Sequence, residues 1–370
     1  MAKYTSASIR SRRPILRRLL MIIGILAIAL LIGAVGISYS LSAPGYEGAV
    51  SDHFDGKEFR NREPVARPNP LKALAYFATA QLGPWEKWTE NTAYPAPPAR
   101  VGRGDMRVTF INHSTVLIQM DSLNILTDPI WAERCSPFSF AGPPRRRAPG
   151  LELKDLPSID IILLSHNHYD HMDIVALKRL AADHNPRIIT GLGNRALLQR
   201  EGIGGATEMD WDQQLDINSE VRIYGLTARH FSNRGMFDQN RTLWLSFVIK
   251  GPAGAVYFAG DTGFGAHFGE AGKAFGPFRL ALLPIGAYLP RWFMKDIHLS
   301  PDEAVLAHQA LNASTSAAIH FGTFQLSAES QRQPVEELRR ALENVPGEKP
   351  RFWALDFGEG REVPPLSVAE

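Results

Sequence analysis

One short stretch, Ser165-His166-Asn167-His168-Tyr169-Asp170-His171, narrows the folds open to this chain more than any other. Three imidazoles and a carboxylate fall within it, directly after the largely apolar residues 159–164, whose β-branched start reads as a buried strand opening into a loop. Neutral imidazole nitrogen and carboxylate oxygen are the donors that Zn²⁺ takes at about 2.0–2.2 Å. On a turn, the alternate residues His166 and His168 converge on one ion. Asp170 and His171 then point to a second ion beside it. Packed together without a metal, such groups would leave charge and ring nitrogens poorly satisfied. The plain alternative is a solvated polar loop, which has no need of so dense a cluster.

The remaining pattern suits one large α/β domain behind an N-terminal extension. The chain has 370 residues, 45% of them hydrophobic. Strands are expected around Val108–Phe110 and Val116–Ile118 and at residues 123–127, 159–164, 221–226, 243–250, 255–259, 280–284 and 316–320. Helices are expected near residues 71–82, over 174–182, from Pro301 to Ala310 and from Pro334 onward, since proline suits a first turn. Hairpins come early and alternation later, which suggests two sheets sandwiched between helices. Formal net charge is only +2, and six basic residues (Lys3, Arg10, Arg12, Arg13, Arg17 and Arg18) precede the first acid, Glu47. The rest is near neutral, so no nucleic-acid partner is expected. Cys135 is the sole cysteine, which excludes an intramolecular disulfide.

Residues 19–37 carry no charge. About 20 apolar residues cross a bilayer core, and the basic flank before them keeps the N-terminus cytoplasmic and exports the rest of the chain. The expected organisation is a basic cytoplasmic flank (1–18), a transmembrane anchor (19–41), a linker and extension (42–105), a hydrolase domain (106–345) and a C-terminal segment packing on it (346–370). A cleaved signal peptide, with Ser40, Ser42 and Ala43 offering a small-residue cleavage site, is the competing reading. A twin-arginine export signal at residues 11–16 and a buried core helix are weaker ones.

The H-x-H-x-D-H signature resembles the metallo-β-lactamase superfamily. The resemblance implies a four-layer αββα sandwich and three further ligands. These match His230 in Ala228-Arg229-His230-Phe231, Asp261 in Gly260-Asp261-Thr262-Gly263, and His320 in Ile319-His320-Phe321-Gly322. It places His166, His168 and His230 in one zinc site and Asp170, His171 and His320 in another, with Asp261 shared. Further stretches are similar to the N-acyl-phosphatidylethanolamine-hydrolysing phospholipase D subfamily. They are Asn112-His113-Ser114-Thr115, Leu126-Thr127-Asp128-Pro129, Pro284-Ile285-Gly286-Ala287-Tyr288 and His320-Phe321-Gly322-Thr323-Phe324.

That likeness implies an enzyme with two Zn²⁺ acting on a membrane phospholipid; the anchor read at residues 19–41 departs from the family's eukaryotic members, which associate with membranes without spanning them. A zinc-bridging hydroxide would attack the phosphodiester, releasing N-acylethanolamine and phosphatidate. Asp170 and Asp261 are the catalytic carboxylates, and His298 takes a substrate-side role. His113 either lines the pocket or is a buried, hydrogen-bonded histidine. Arg145, Arg146 and Arg147 form a solvated loop or meet lipid phosphates. Trp131, Phe138, Phe140, Trp292 and Phe293 wall an acyl cleft or belong to the core. A lactonase, an amidase or a nuclease on the same metals, a diiron redox protein and a non-catalytic binding module are the rival classes. The domain is expected beside a bilayer on the extracytoplasmic, periplasmic side, and a homodimer is left open.

Overall fold

The computed structural model describes residues 12–66 and 69–366. The chain divides into two units, residues 1–42 with 235–237, and residues 43–234 with 238–370.

The first unit is a single helix, Arg12–Leu41, with a short loop against its end. Its stretch Arg17–Leu41 spans 25 residues of mean hydropathy 2.9, and its apolar side chains are exposed. Length and composition suffice to cross a bilayer. At its end Ser42 Oγ donates to the Ser38 carbonyl, and the Met236 N–H donates to Ser38 Oγ. Lys3, Arg10 and Ser11, part of the expected basic flank and export signal, lie outside the described residues.

The second unit holds two mixed seven-stranded sheets among the described residues. The first sheet takes β1 (Met106–Asn112), β2 (Thr115–Met120), β3 (Leu123–Thr127), β4 (Ile161–Leu164), β5 (Arg187–Gly191) and β6 (Thr207–Met209). The second takes β7 (Gln214–Asp216), β8 (Arg222–Leu226), β9 (Ser246–Gly251), β10 (Gly254–Phe258), β11 (Phe278–Pro284), β12 (Ser316–Ile319) and β13 (Phe352–Trp353). A last strand, β14 (Gly360–Glu362), returns to pair with β1. Strand orders are β14-β1-β2-β3-β4-β5-β6 and β13-β12-β11-β10-β9-β8-β7. With helices on the outer faces this is the αββα sandwich.

Alternation along β4 shows how the layers divide. Ile161 and Leu163 join the large core that also holds Phe247, Ile249 and Phe258 of the second sheet. Ile162 and Leu164 face the other way, into a cluster with Leu177, Leu180, Leu197 and Leu198 of the helices Ile174–His184 and Asn194–Arg200. Strands β2, β4 and β11 are buried throughout, as expected where both faces of a sheet are covered.

Several boundaries differ from expectation for local reasons. The expected strand at 159–164 begins at Ile161, because the Asp160 carboxylate turns aside to accept from Arg100 and from the Asn124 N–H at 2.8 Å. The extension's helix is Pro70–Thr79, capped by Asn69, whose side chain accepts from the Leu71 and Lys72 N–H groups. Strands β5, β6 and β7 and the helices Asn194–Arg200 and His267–Phe275 are additions to the expected elements. They are short and carry polar residues that blur the periodicity.

Candidate metal centre

Parallel pairing sets the site. Strands β3 and β4 run parallel, with Thr127 opposite Leu163, so Asp128 and Ser165 leave the sheet side by side. In the second sheet β10, β11 and β12 are parallel, and β8 is antiparallel to β9, which is antiparallel to β10. The segments that carry His230, Asp261 and His320 therefore all leave at carboxyl ends of strands, the usual place for a site in such sheets. Gly260 lets the two sheets meet there. It sits at φ +59, and a Cβ on it would stand 2.6 Å from the Ser165 Cβ.

All seven expected ligands converge. His166 Nε2 lies 2.8 Å from His168 Nδ1, and His230 Nε2 lies 3.3 Å from the same atom. Asp170 Oδ2 is 3.4 Å from both His171 Nε2 and His320 Nε2. Asp261 Oδ2 stands between the groups, 3.2 and 3.1 Å from His171 and His320 and 4.0 and 3.8 Å from His166 and His230. Donors about 2.0–2.2 Å from one tetrahedral ion lie roughly 3.3–3.5 Å apart, close to these spacings. His171 Nε2, His320 Nε2 and Asp261 Oδ1 are buried with no hydrogen-bond partner among the described residues, an expensive arrangement unless something binds them. The residues fit a binuclear His/Asp metal site.

Electrostatics divides the cluster. Burial first, then neighbouring imidazoles, holds His166 well below the ordinary histidine range, and burial lowers His168 to about 4. Burial also dominates at His230 and lowers it. Burial opposes charge on Asp170 and Asp261, but the adjoining His171 carries both well below the usual carboxylate range, and His320 adds to the effect. Burial likewise works against His171 and His320; Asp261 and Asp170 outweigh it, raising His171 and taking His320 to about 9. One group is neutral and ready to ligate, and in the other a divalent cation must displace protons.

Supporting contacts fix the rings. His230 Nδ1 donates to the Ile297 carbonyl at 2.9 Å, and the His230 backbone is bonded in both directions to the Asn61 side chain of the extension. Arg234 lies 3.9 Å over the Tyr169 ring and donates to the carbonyls of Asn167 and Met172, clasping the metal loop at two points. Asp173 closes that loop by capping the helix Ile174–His184 and accepting from the Trp131 and Ala132 N–H groups.

Asp128 has no role that sequence reasoning assigned. It is fully buried, its Oδ2 accepts from His171 Nδ1 and from Ser165 Oγ, each at 2.6 Å, and its Oδ1 accepts from the Ser165 N–H. This is the carboxylate–histidine pairing found behind metal ligands, here behind the expected ligand His171. The available signal is a carboxylate closing an apolar strand before Pro129. Asp128, His113, Ala287 and His320 all sit at positive φ, between +32 and +61. Such strain gathers at functional sites.

A cleft of about 140 Å³ opens onto the metal donors. Phe231, Phe293, Met294, Ile297 and Leu326 wall it, and no lysine or arginine is among the described residues that line it. His298, the expected substrate-side residue, lines it too. Its Nδ1 is buried without a hydrogen-bond partner among the described residues, 3.8 Å from Asp261 Oδ2, and burial lowers its pKa to about 4. The segment bearing this wall is pinned by Glu329, which accepts from the Ala287 N–H, and by Arg291, which donates to the His298 carbonyl. A larger cavity of about 740 Å³, between Trp88, Arg332 and Asp356, gathers charges of both signs and, among the described residues, no clustered set of metal donors.

Other expectations change. Arg145 is buried and donates to Asn112 and to the carbonyls of Ala132 and Ile130, while Arg147 pairs with Asp356 at 2.6 Å. Both are structural pins and not a solvated run facing lipid phosphates. Of the five aromatics considered for an acyl cleft, Phe293 lines it. Trp131 donates to the Leu151 carbonyl and packs on the outer core, Phe138 and Phe140 pack on each other, and Trp292 meets Tyr76 edge to face.

Comparison with known proteins gives a consistent picture. The β-lactamase superfamily domain model matches residues 123–321. An N-acyl-phosphatidylethanolamine-hydrolyzing phospholipase D of Caenorhabditis elegans is 39% identical over 68% of this chain and 74% of its own length. An uncharacterized protein of Mycobacterium tuberculosis is 40% identical over 70% of this chain and 72% of its own. Among solved structures, an isothiocyanate hydrolase from Delia radicum gut bacteria superposes with TM-score 0.55 at 22% identity, covering 69% of this chain and 98% of that one. At that identity the likeness concerns the fold.

Proposed function

The chain belongs to the metallo-β-lactamase superfamily, and from that membership we propose a membrane-anchored dizinc phosphodiesterase of phospholipase D type. Its substrate is N-acyl-phosphatidylethanolamine, cleaved to N-acylethanolamine and phosphatidate. The observation that carries this reading is the cleft: metal donors form its floor, its wall is apolar, and no lysine or arginine lines it among the described residues. A phosphodiester flanked by acyl chains suits such a surface; a free, multiply charged phosphate does not. The relatives named for this activity, at 39% and 32% identity, support the choice.

His166 Nε2, His168 Nδ1 and His230 Nε2 would hold one zinc, Asp170 Oδ2, His171 Nε2 and His320 Nε2 the other, with Asp261 between them. When bound, the zinc pair supplies an activated water at neutral pH and positive charge for the phosphoryl oxygens. Asp170 and Asp261 remain ionised and fix the charge of the floor. His298, neutral and unpartnered at Nδ1, meets a phosphoryl oxygen from the cleft side. Phe231, Phe293 and Met294 exclude bulk water and receive the lipid chains.

A panel of glycerophospholipids, with lactones and β-lactams as controls, tests the reading on zinc-loaded protein. Turnover should be fastest on N-acyl-phosphatidylethanolamine. His298→Ala should lower it about 10²-fold, the scale of losing one oxyanion donor, with both zincs retained. Rapid lactone opening with every glycerophospholipid left intact would remove the phospholipase reading and leave the fold standing.

The apolar helix is read as an uncleaved anchor that leaves the catalytic domain on the extracytoplasmic side. The basic flank before it and its 25-residue length support this. An enzyme reporter fused at the C-terminus should be active only outside the cytoplasm; activity confined to the cytoplasm reverses the orientation. A mature chain that starts near Ala43 would make the helix a cleaved signal.

A further inference from the structure

We propose that His113 is a positioning residue for the second metal position, holding Asp170 with its side chain and His320 with its backbone. This rests on the assignment of those two residues as ligands and needs nothing from the lipid reading.

His113 opens the two-residue turn between β1 and β2, at φ +45. Turn positions at positive φ usually hold glycine or asparagine, which tolerate that conformation. Histidine is also found at positive φ more often than most residues, so the case for its side chain rests on the contacts that side chain makes. The residue is 1% exposed, and Nε2 lies 3.0 Å from Asp170 Oδ2, the one side-chain hydrogen bond it makes among the described residues. Nδ1 is buried without a partner among the described residues, which puts the ring proton on Nε2 as donor. A carboxylate oxygen has two lone pairs. With one directed to His113, the other is left for the space between His171 Nε2 and His320 Nε2, each 3.4 Å away.

The backbone of the same residue reaches the other ligand. The His320 N–H donates to the His113 carbonyl at 2.7 Å, and the His113 N–H donates to Thr323 Oγ1 at 3.0 Å. The two rings lie 4.0 Å apart between centroids. One strained turn of the first sheet thus sets two donors from opposite sheets, and both belong to the second position. Ligating carboxylates are commonly oriented by such outer hydrogen bonds, and losing one costs about 10–100-fold in metal affinity.

The test uses the full chain and zinc itself, titrated against a chelator. His113→Asn suits the positive φ but is too short to reach Asp170; His113→Gln keeps a donor at the right reach. Asn should weaken the second zinc about 10–100-fold and leave the first unchanged, while Gln should restore the second to within a few-fold. The cobalt-loaded Gln variant should keep the parent's visible spectrum, because no ligand has been removed. Three results overturn the proposal. Asn binds both zincs with the parent's affinities; or both sites weaken together in Asn, which marks a fold defect; or the cobalt spectrum of Gln changes as ligand loss would require, making His113 itself a ligand.

Discussion

The two sheets reach the metal centre by different routes. From the first, one turn after β4 delivers His166, His168, Asp170 and His171, so their mutual geometry is a property of seven consecutive residues. From the second, His230, Asp261 and His320 arrive singly from three strand ends, and their geometry depends on how the strands align. The bracing differs by metal position as well. His230 leans on a backbone carbonyl and His166 on the Ser165 hydroxyl. His171 and Asp170, at the second position, lean on buried ionisable side chains, Asp128 and His113. A site built on backbone and hydroxyl tolerates change in its surroundings better than one built on buried charge, where every missing partner leaves a desolvated group.

Asp261 joins the halves, and removing it breaks the comparison most severely. Its Oδ2 is within 3.2 Å of both second-position imidazoles and within 4.0 Å of two first-position imidazoles. Asp261→Ala should release both metals on dialysis and lower turnover about 10³-fold or more. His166→Ala should release one metal and keep the other. Elemental analysis of the two variants separates the cases. Two metals retained by Asp261→Ala would mean that no carboxylate is shared.

Legibility in the sequence divides along the same line. The turn at 165–171 is legible because donor chemistry and spacing lie in one window. His230, Asp261 and His320 are reached only through their order in a resembling family, since each alone reads as an ordinary buried polar residue. Asn61 and Arg234 carry no readable role, and Asp128 carries only the weak signal of a carboxylate at the end of an apolar strand. Asp128 matters because β3 and β4 run parallel in the register that sets Thr127 opposite Leu163. No local pattern encodes that adjacency. The same holds for Arg145, where three consecutive arginines suggest a solvated face until burial between Asn112, Ile130 and Phe324 shows a pin. Strands β2, β4 and β11 are foreseeable from their apolar runs at residues 116–118, 161–164 and 280–283, as expected of covered strands. Edge strands β6 and β7, three residues each, are not.

Asp128 sharpens the comparison with a smaller effect. Its carboxylate accepts from His171 Nδ1, which holds a proton there and leaves Nε2 as the nitrogen that gives up its proton to bind the second metal. Asp128→Asn changes one atom and almost no volume. The Ser165 N–H can still donate to the amide oxygen. If the new NH₂ takes the place of Oδ2, it donates to His171 Nδ1, so the imidazole proton moves to Nε2 and blocks the metal. A wrong tautomer behind an otherwise intact geometry is a known way to disable a histidine. Second-site zinc affinity should fall about 10–100-fold. The first site should change less, because Asp128 touches it only through Ser165 Oγ and His166 Nδ1. Nitrogen-15 NMR of the His171 ring in the zinc-loaded variant reads the tautomer directly. Parent-like second-site affinity with the proton still on Nδ1 would show that the carboxylate merely fills space between β3 and the metal loop.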